Sequence, residues 1–387
     1  MSHRLAVISH TPHHRTPDGL VGWGPTVTEI DHLATLVDEL VHIAPVHQGP
    51  APASATAYRA PNVSVVPVRA AGGDGPAAKA GIAAAVPGWL LAMHRGTRGA
   101  DLLHVRCPAN LSGLALAVLR LRRDRRPLWA KYAGNWRPEG DEPWSYRTQR
   151  RWLARGFGEV AVTVNGSGDD PDHVRAFANP SLTDDELAAG AAAAATKSDP
   201  AAAVRLAFVG RVEPAKGAQE AVEIAAAVRD AGQPVHLTVV GDGPSTDACR
   251  DAALGHGLRA DFPGWLARDQ VHAVLAEAHV LLLPSSASEG WPKVLSEAMA
   301  FGAVPVASAV SSIPQVLDQT GAGIAVTGTR PTDHAAAVLG LLDDPGRMAE
   351  LRTAGLVAAP RFGFAAHLDA VRQLFADRWD VHLGATA

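Results

Sequence analysis

Short apolar runs alternate with longer amphipathic stretches along this chain, and the alternation starts afresh near its middle. That pattern restricts the chain to an α/β class with parallel sheets, because each apolar run is strand-length and each stretch between is long enough for a crossover helix. In the first half, strands are expected at 5–9, 41–46, 63–68, 102–105, 128–132 and 160–164, with helices over 26–40, 77–94 and 111–123. In the second half, strands are expected at 205–209, 235–240, 260–262, 280–283, 304–307 and 324–326, with helices over 217–231, 270–277 and 292–301. Between the halves lies PSLTDDELAAGAAAAATKSDPAAA, Ala-rich and poor in features, which reads as a connection with a short helix at its start. The expected organisation is a first domain over 1–180, a linker over 181–203 and a second domain over 204–363. A tail helix over 364–379, apolar at Leu368, Val371, Leu374 and Phe375, is expected to pack back on the first domain, within a closing segment 364–387. The halves share a fold class but no sequence period, so this is not a repeat array. Two such domains set their strand C-terminal ends on either side of a cleft, where ligands bind.

Bulk numbers narrow the function classes. A chain of 387 residues with 47% hydrophobic residues suits two cores rather than one. Its 35 basic and 39 acidic residues nearly balance, which gives no reason to expect a nucleic-acid partner. Cys107 and Cys249 stand far apart without metal-ligand spacing, so no disulfide framework is expected and the cytoplasm is the expected compartment. The opening MSHRLAVISH reads as a first strand rather than a signal peptide, and no membrane-spanning helix is expected.

Two segments of the second half carry chemistry. HVLLLP leads into SEGWPKVLSEAMAFGAVPVAS, a strand delivering an acidic loop onto a helix N-terminus. Pro292 suits the first helical position, and the amides behind it would face an anion with the positive end of the helix dipole. Glu289 precedes the helix at its mouth and Glu297 lies within its second turn. That asymmetry suits a sugar nucleotide, with pyrophosphate in the middle, sugar on one side and ribose on the other. Upstream, the strand LAFVG runs into RVEPAKG, where Arg211 and Lys216 flank Pro214 and Gly217 opens a helix. A planar guanidinium and a flexible ammonium there can chelate a diphosphate from two sides. Alone, such a pair is as readily a pair of solvated loop charges; at a strand end in the same domain as the glutamates, it reads as a site.

Taken in order, GRVEPAKG, VVGDGP, FPGW and LLLPSSASEGWPKVLSEAMAFGAVPVAS resemble the C-terminal domain of family-4 glycosyltransferases of GT-B fold, from Arg205 to about Ser312. The resemblance implies two Rossmann-like α/β domains facing each other across a cleft. It implies that Arg211 and Lys216, beside Gly210, bind the donor diphosphate and stabilise it as it leaves. Glu289 would contact the transferred sugar and Glu297 the ribose. Gly264, Trp265 and Leu266 would present backbone groups to the nucleobase, and the amides after Gly290, in the segment through Trp291, Lys293 and Val294, would complete the phosphate cradle. Lys293 departs from the apolar residue common in relatives and either adds a third cation or faces solvent. Gln315, in SSIPQ, stands where relatives carry a glutamate.

The first half resembles the family less. His10, His13 and His14 precede PDGLVGWGPT, whose Gly22 and Gly24 would let backbone approach the donor phosphate. The three histidines alternatively suggest a metal, without acidic or cysteine partners. His104 fits the first position of an H-x-H-like motif and is the remaining catalytic candidate, with Arg106 in place of the second. Lys131, Tyr132, Asn135 and Trp136 stand where relatives carry a further histidine. Trp136, Trp144 and Tyr146 either stack on a sugar-like acceptor or pack a surface loop. The five arginines of LRLRRDRRP read as a solvated helix end or as a peripheral contact with anionic lipid.

The implied reaction is a retaining transfer of a hexosyl-like group from a nucleotide sugar, with a UDP-sugar the expected donor, to an acceptor hydroxyl of a small molecule or glycan. No tightly bound cofactor and no metal is expected; Asp170-Pro171-Asp172 has metal-motif spacing but lies outside the diphosphate constellation. The alternatives are an epimerase or phosphorylase of the same fold, or a non-catalytic sugar-nucleotide-binding protein. A dinucleotide-dependent dehydrogenase is disfavoured, since the Gly-rich loop after the first strand lacks G-x-G-x-x-G spacing.

Overall fold

A computed structural model of the chain describes residues 3–73, 75–138, 142–166, 168–197, 200, 203–287 and 290–384. The chain divides into two compact units, residues 1–177 with 367–387, and residues 178–366. In the first unit the strands are β1 (Arg4–Ile8), β2 (His13–Thr16), β3 (Gly19–Trp23), β4 (Glu39–His47), β5 (Ala55–Ala57), β6 (Val63–Arg69), β7 (Leu102–Cys107), β8 (Leu128–Tyr132), β9 (Val160–Val164) and β10 (Val174–Ala176). They form one sheet in the order β10-β9-β8-β7-β1-β4-β2-β3-β5, with β6 on β4 as well. Pairing is parallel from β10 through β4 and β6, and antiparallel between β2 and β3 and between β3 and β5.

The central strands are mostly apolar on both faces because both faces are covered. Side chains alternate between faces: Leu5, Val7, Leu102, Trp129 and Ala161 pack with Ile30 and Leu33 of the helix Gly24–Ala34 and with Leu368, Val371, Leu374 and Phe375 of the tail helix Phe364–Trp379. Their neighbours Ala6, Ile8, Leu103, Val105 and Ala130 pack on the other face with Trp89, Leu116 and Leu153. Trp89 belongs to the helix Pro76–Thr97, which is long and apolar enough, by length and composition only, to cross a membrane. Here it covers the sheet, and the Trp89 indole donates to the Arg69 carbonyl at 2.9 Å. The helix expected over 26–40 stops at Ala34, and Glu39 already begins β4.

The second unit holds β11 (Val204–Val209), β12 (Val235–Val240), β13 (Arg259–Gly264), β14 (Val280–Leu283), β15 (Val304–Ser308) and β16 (Ile324–Val326). They pair in parallel in the order β13-β12-β11-β14-β15-β16. Leu206, Phe208, Leu237, Val239, Val280 and Leu282 fill one face, while Ala207, Leu281, Leu283 and Ala307 meet Leu295, Met299 and Leu275 on the other.

The expected linker belongs to this second unit. Residues Asp184–Ala195 form a helix closed by a capping box: the Thr183 amide donates to Glu186 Oε2 at 2.8 Å, and the Glu186 amide to Thr183 Oγ1 at 3.2 Å. Alanine is the best helix former, so an Ala-rich stretch behind a T-x-x-E cap is helical by default rather than featureless. A Cβ at Gly190 would stand 2.5 Å from the Ala300 carbonyl oxygen, so glycine there lets this helix lie close on the helix Lys293–Ala300.

Candidate active site

In the second unit the strand order reverses between β11 and β14, and in an open α/β sheet ligands bind outside the strand C-terminal ends at such a reversal. The loops leaving β11 and β14 meet there. The Ala215 carbonyl accepts from Ser285 Oγ at 3.0 Å and from the Ser286 and Ala287 amides at 3.1 Å each. Gly217, at φ +79°, abuts the Pro284 carbonyl, which leaves no room for a Cβ. On the other flank the VVGDGP turn lies against Gly210 and Val212: Gly241 and Gly243 face their carbonyl oxygens, and the Val212 amide donates to the Asp242 carbonyl at 3.0 Å. Backbone thus packs on backbone around the end of β11, which fixes the Arg211–Lys216 turn from both sides.

Arg211 stands two residues past the end of β11 and is largely exposed, with Nη2 on Glu213 Oε1 at 2.7 Å. Such an exposed pair contributes under about 1 kcal/mol, so an arriving diphosphate can displace it. Lys216 ends the short 3-10 turn Pro214–Lys216 and is half-buried. Burial and the neighbouring Arg211 guanidinium lower the pKa of its ammonium, with Glu213 opposing. Across the reversal, the helix spans Lys293–Ala300 with Pro292 as its N-cap, so it begins one residue later than the sequence implies. Lys293 opens the helix and Val294 packs partly on the core below. Gly290 is buried at its entrance. Glu289 lies outside the described residues.

Trp291 can offer a ligand only its backbone. Its ring stacks on Phe362 at a centroid distance of 5.3 Å, and its indole donates to Ser296 Oγ at 2.6 Å. The side chain is thus committed to the core, leaving only backbone for a ligand. Glu297 is also less free than its spacing implies: it is 8% exposed and its Oε1 accepts from Arg268 Nη1 at 2.9 Å. Gly264 ends β13 at φ +77°, Trp265 is half-exposed, and Leu266 lines a hollow of about 560 Å3 with Thr238, Phe262 and Val274. Gln315 is the third residue of the helix Ile313–Thr320. Arg268, which no motif flagged, is the charged group the sequence reading missed; its only signal was its place just after the Gly264–Leu266 turn.

The first unit bears on three further expectations. His104 is fully buried on β7, stacked on Trp129 at 3.8 Å, with Nδ1 donating to the Trp129 carbonyl at 3.1 Å. Burial, with Arg106 nearby, holds its pKa well below the ordinary histidine value, and the side chain is enclosed in the core. Gly22 and Gly24 do not form a phosphate loop. Gly22 lies in the β2–β3 hairpin, where its missing side chain makes room for His13. Gly24 opens the first helix with its amide donating to the Ser54 carbonyl at 2.9 Å.

His13 is a satisfied core residue. Its Nδ1 donates to the Thr11 carbonyl at 2.8 Å, which makes Nε2 the acceptor of the Tyr58 hydroxyl at 2.8 Å. Tyr58 in turn accepts from His42 Nδ1 at 2.6 Å, leaving His42 Nε2 to accept from Ser9 Oγ at 2.7 Å. Among the described residues no group of His, Cys, Asp or Glu is arranged to hold a metal. Arg106 forms a two-pronged pair with Glu29 at 2.7 and 3.2 Å, and Lys131 Nζ shares that carboxylate at 2.7 Å. Trp136 is buried beside Tyr132 and donates to Asp170 Oδ1 at 3.0 Å, while Trp144 is exposed.

The candidate site lies at the strand-order reversal of a parallel α/β domain. Residues 199–356 match the family model for glycosyl transferases group 1. The chain is 33% identical over 159 residues to a 2-deoxystreptamine glucosyltransferase of Streptomyces kanamyceticus, covering 40% of this chain and 41% of that protein. It is 31% identical over 240 residues to a D-inositol 3-phosphate glycosyltransferase of Catenulispora acidiphila, covering 58% of this chain and 55% of that protein. The chain thus spans about half the length of these curated relatives, or less. Among solved structures, the sucrose-phosphate synthase of Thermosynechococcus elongatus aligns at a TM-score of 0.70 and 17% identity, covering 97% of this chain and 98% of that one. Anabaena HepE, solved in complex with UDP and glucose, aligns at 0.65 and 15% identity, covering 97% and 100%. These similarities establish the GT-B fold.

Proposed function

We propose that this protein is a retaining glycosyltransferase that moves a sugar from a nucleotide-sugar donor, a UDP-sugar, to an acceptor hydroxyl. The observation that carries the reading is the placement of Arg211 and Lys216 at the C-terminal end of β11, beside the strand-order reversal and across from the N-terminus of the helix Lys293–Ala300. Cleaving the bond to the diphosphate develops negative charge on phosphate and oxocarbenium character on the sugar. Arg211, Lys216 and the helix dipole stabilise the first, already oriented by the packed glycine turns. Because protein cations meet that charge, the reaction is proposed to need no divalent metal. The leaving phosphate takes the proton of the acceptor hydroxyl on the face from which it departs, which gives retention without a protein nucleophile. Glu289 orients the transferred sugar and Glu297 accepts from the ribose hydroxyls. The reaction is assigned to the cytoplasm, where nucleotide sugars are made and where Cys107 and Cys249 stay reduced. That HepE was solved with UDP and glucose supports the donor class.

The experiment is a thermal-shift screen with UDP, GDP, ADP and TDP, followed by NMR of the product's anomeric configuration, with and without a metal chelator. Stabilisation by a nucleoside diphosphate and an unchanged anomer are expected. Absence of stabilisation by all four nucleotides would remove the basis for the reading.

A further inference from the structure

Glu297 is held in place by a residue from outside its own motif. Arg268 opens the helix Arg268–Glu277, four residues after Gly264. Its Nη1 donates to Glu297 Oε1 at 2.9 Å. Its other donors are committed to the opposite side: Nε meets Glu186 Oε1 at 2.5 Å, Nη2 meets Glu186 Oε2 at 2.9 Å, and Nη2 also meets the Ser181 carbonyl. Glu186 cannot swing away, because its Oε2 is tied to the Thr183 amide at 2.8 Å in the capping box of the helix Asp184–Ala195. A planar guanidinium pinned along one edge has a fixed direction for its remaining nitrogen. That direction sets the rotamer of Glu297 and occupies one carboxylate oxygen. Arg268 meets Oε1 and not Oε2, and the side chain keeps 11% of its surface exposed.

We infer that Arg268 is a positioning residue for ribose recognition: anchored by Glu186, it clamps Glu297 Oε1 and so presents Oε2 to a ribose hydroxyl of a nucleoside diphosphate. The inference rests on the nucleotide-sugar reading above. An unclamped Glu297 samples several rotamers, and each hydroxyl it meets must first order it. A clamped one is a pre-organised, charged acceptor, which makes it selective for a ligand that has the hydroxyl over one that lacks it.

The test is calorimetric binding of UDP, GDP and ADP, each against its 2′-deoxy and 3′-deoxy counterparts, to the full chain. The wild-type protein should prefer the ribonucleotide by about tenfold to hundredfold, the range of a hydrogen bond to a charged group. Arg268→Gln should collapse that preference to about threefold or less while leaving the preference among bases unchanged. Arg268→Lys should keep part of it, since an ammonium can reach one carboxylate but not both. Glu186→Gln, which retains a capping-box side chain, should also reduce it although the residue contacts Glu297 only through Arg268. If Arg268→Gln does not fold, the lysine and Glu186→Gln variants carry the test. A strut that serves only stability would lower the melting temperature of these variants and leave the ribose preference intact, which overturns the inference. A changed base preference with intact ribose preference also overturns it, by making Arg268 a direct base contact. A wild-type protein that binds none of the diphosphates overturns this inference and the nucleotide reading together; binding with unaltered selectivity in the variants overturns only the inference.

Discussion

Replacing Gly217 by alanine tests whether the packed turn at the end of β11 shapes the site. The perturbation has two parts. At φ +79° an alanine pays the strain of the left-handed region, about 1 kcal/mol. Its methyl carbon would also fall on the Pro284 carbonyl oxygen, a backbone atom that cannot rotate away. Relief requires the β11 and β14 loops to separate, and the bonds that join them are those at the Ala215 carbonyl, at 3.0, 3.1 and 3.1 Å. Weakening two of them at about 1 kcal/mol each brings the total to about 3 kcal/mol. Gly232→Ala is the control, because its φ is +92° but a Cβ there meets nothing within 4 Å; it should cost only the strain, about 1 kcal/mol. Hydrogen exchange of the β11 and β14 amides reads the opening free energy of the second unit without interference from the first. A difference of about 2 kcal/mol between the variants is expected, together with weaker diphosphate binding by Gly217→Ala, since Arg211 and Lys216 ride on the displaced loop. Equal opening free energies within about 0.5 kcal/mol would show that the Pro284 carbonyl yields freely and that the turn does not define the site.

Other outcomes follow from the same geometry. Lys216→Ala should lower kcat by about a hundredfold to a thousandfold through lost leaving-group stabilisation, whereas Glu297→Ala should mainly raise the nucleotide Kd; steady-state kinetics beside calorimetry separates the two. Because burial and Arg211 lower the Lys216 pKa in the free protein, a bound diphosphate should raise it again. Nucleotide binding should therefore take up protons and weaken as pH rises through that lowered pKa, read as a buffer-dependent binding enthalpy that Lys216→Arg abolishes. His42 and His104 are held neutral by burial, well below the ordinary value of 6.5. The unfolded chain then binds more protons than the folded one once pH drops under 6.5, so folding stability should fall with further acidification. Denaturant unfolding at a series of pH values checks this, and a flat profile through that window would contradict the buried-neutral assignment.

The central strands of both units were legible because each is a short, mostly apolar run, which a strand covered on both faces needs. β2, β3 and β5 carried no such signal: HHRT and ATA are short and partly exposed, and their pairing depends on a hairpin whose glycines looked like a ligand loop. Gly22 shows why. A glycine demanded by a close approach reads the same whether the approaching group is a phosphate or, as here, the imidazole of His13. His104 was ambiguous for a related reason, since a histidine between apolar neighbours on a strand faces the core as readily as a ligand, and Trp129 decides which. Around β11 the reading fared better because the features there are backbone features. Gly217, Gly241 and Gly243 sit where the backbone of Pro284, Gly210 and Val212 comes too close for a Cβ, and each such approach shows in the sequence as a glycine beside a strand end.

Glu297 marks the limit of motif spacing as a guide to chemistry. Spacing places its Cα on the second turn of a helix at the strand-order reversal, and nothing more. What the carboxylate can do depends on Arg268, 29 residues earlier, and on Glu186, 82 residues before Arg268. Neither residue stands in the motif that contains Glu297. The cap that starts the helix Asp184–Ala195 therefore sits two ion pairs from the oxygen proposed to read the ribose, in the segment whose composition looked least informative. An Ala-rich helix needs no specific packing to form, so its N-terminal carboxylate is free to be fixed by the cap and used as an anchor. Selectivity at Glu297 is then a property of three residues acting in series, and a change at the distant end should weaken it as surely as a change at Glu297 itself.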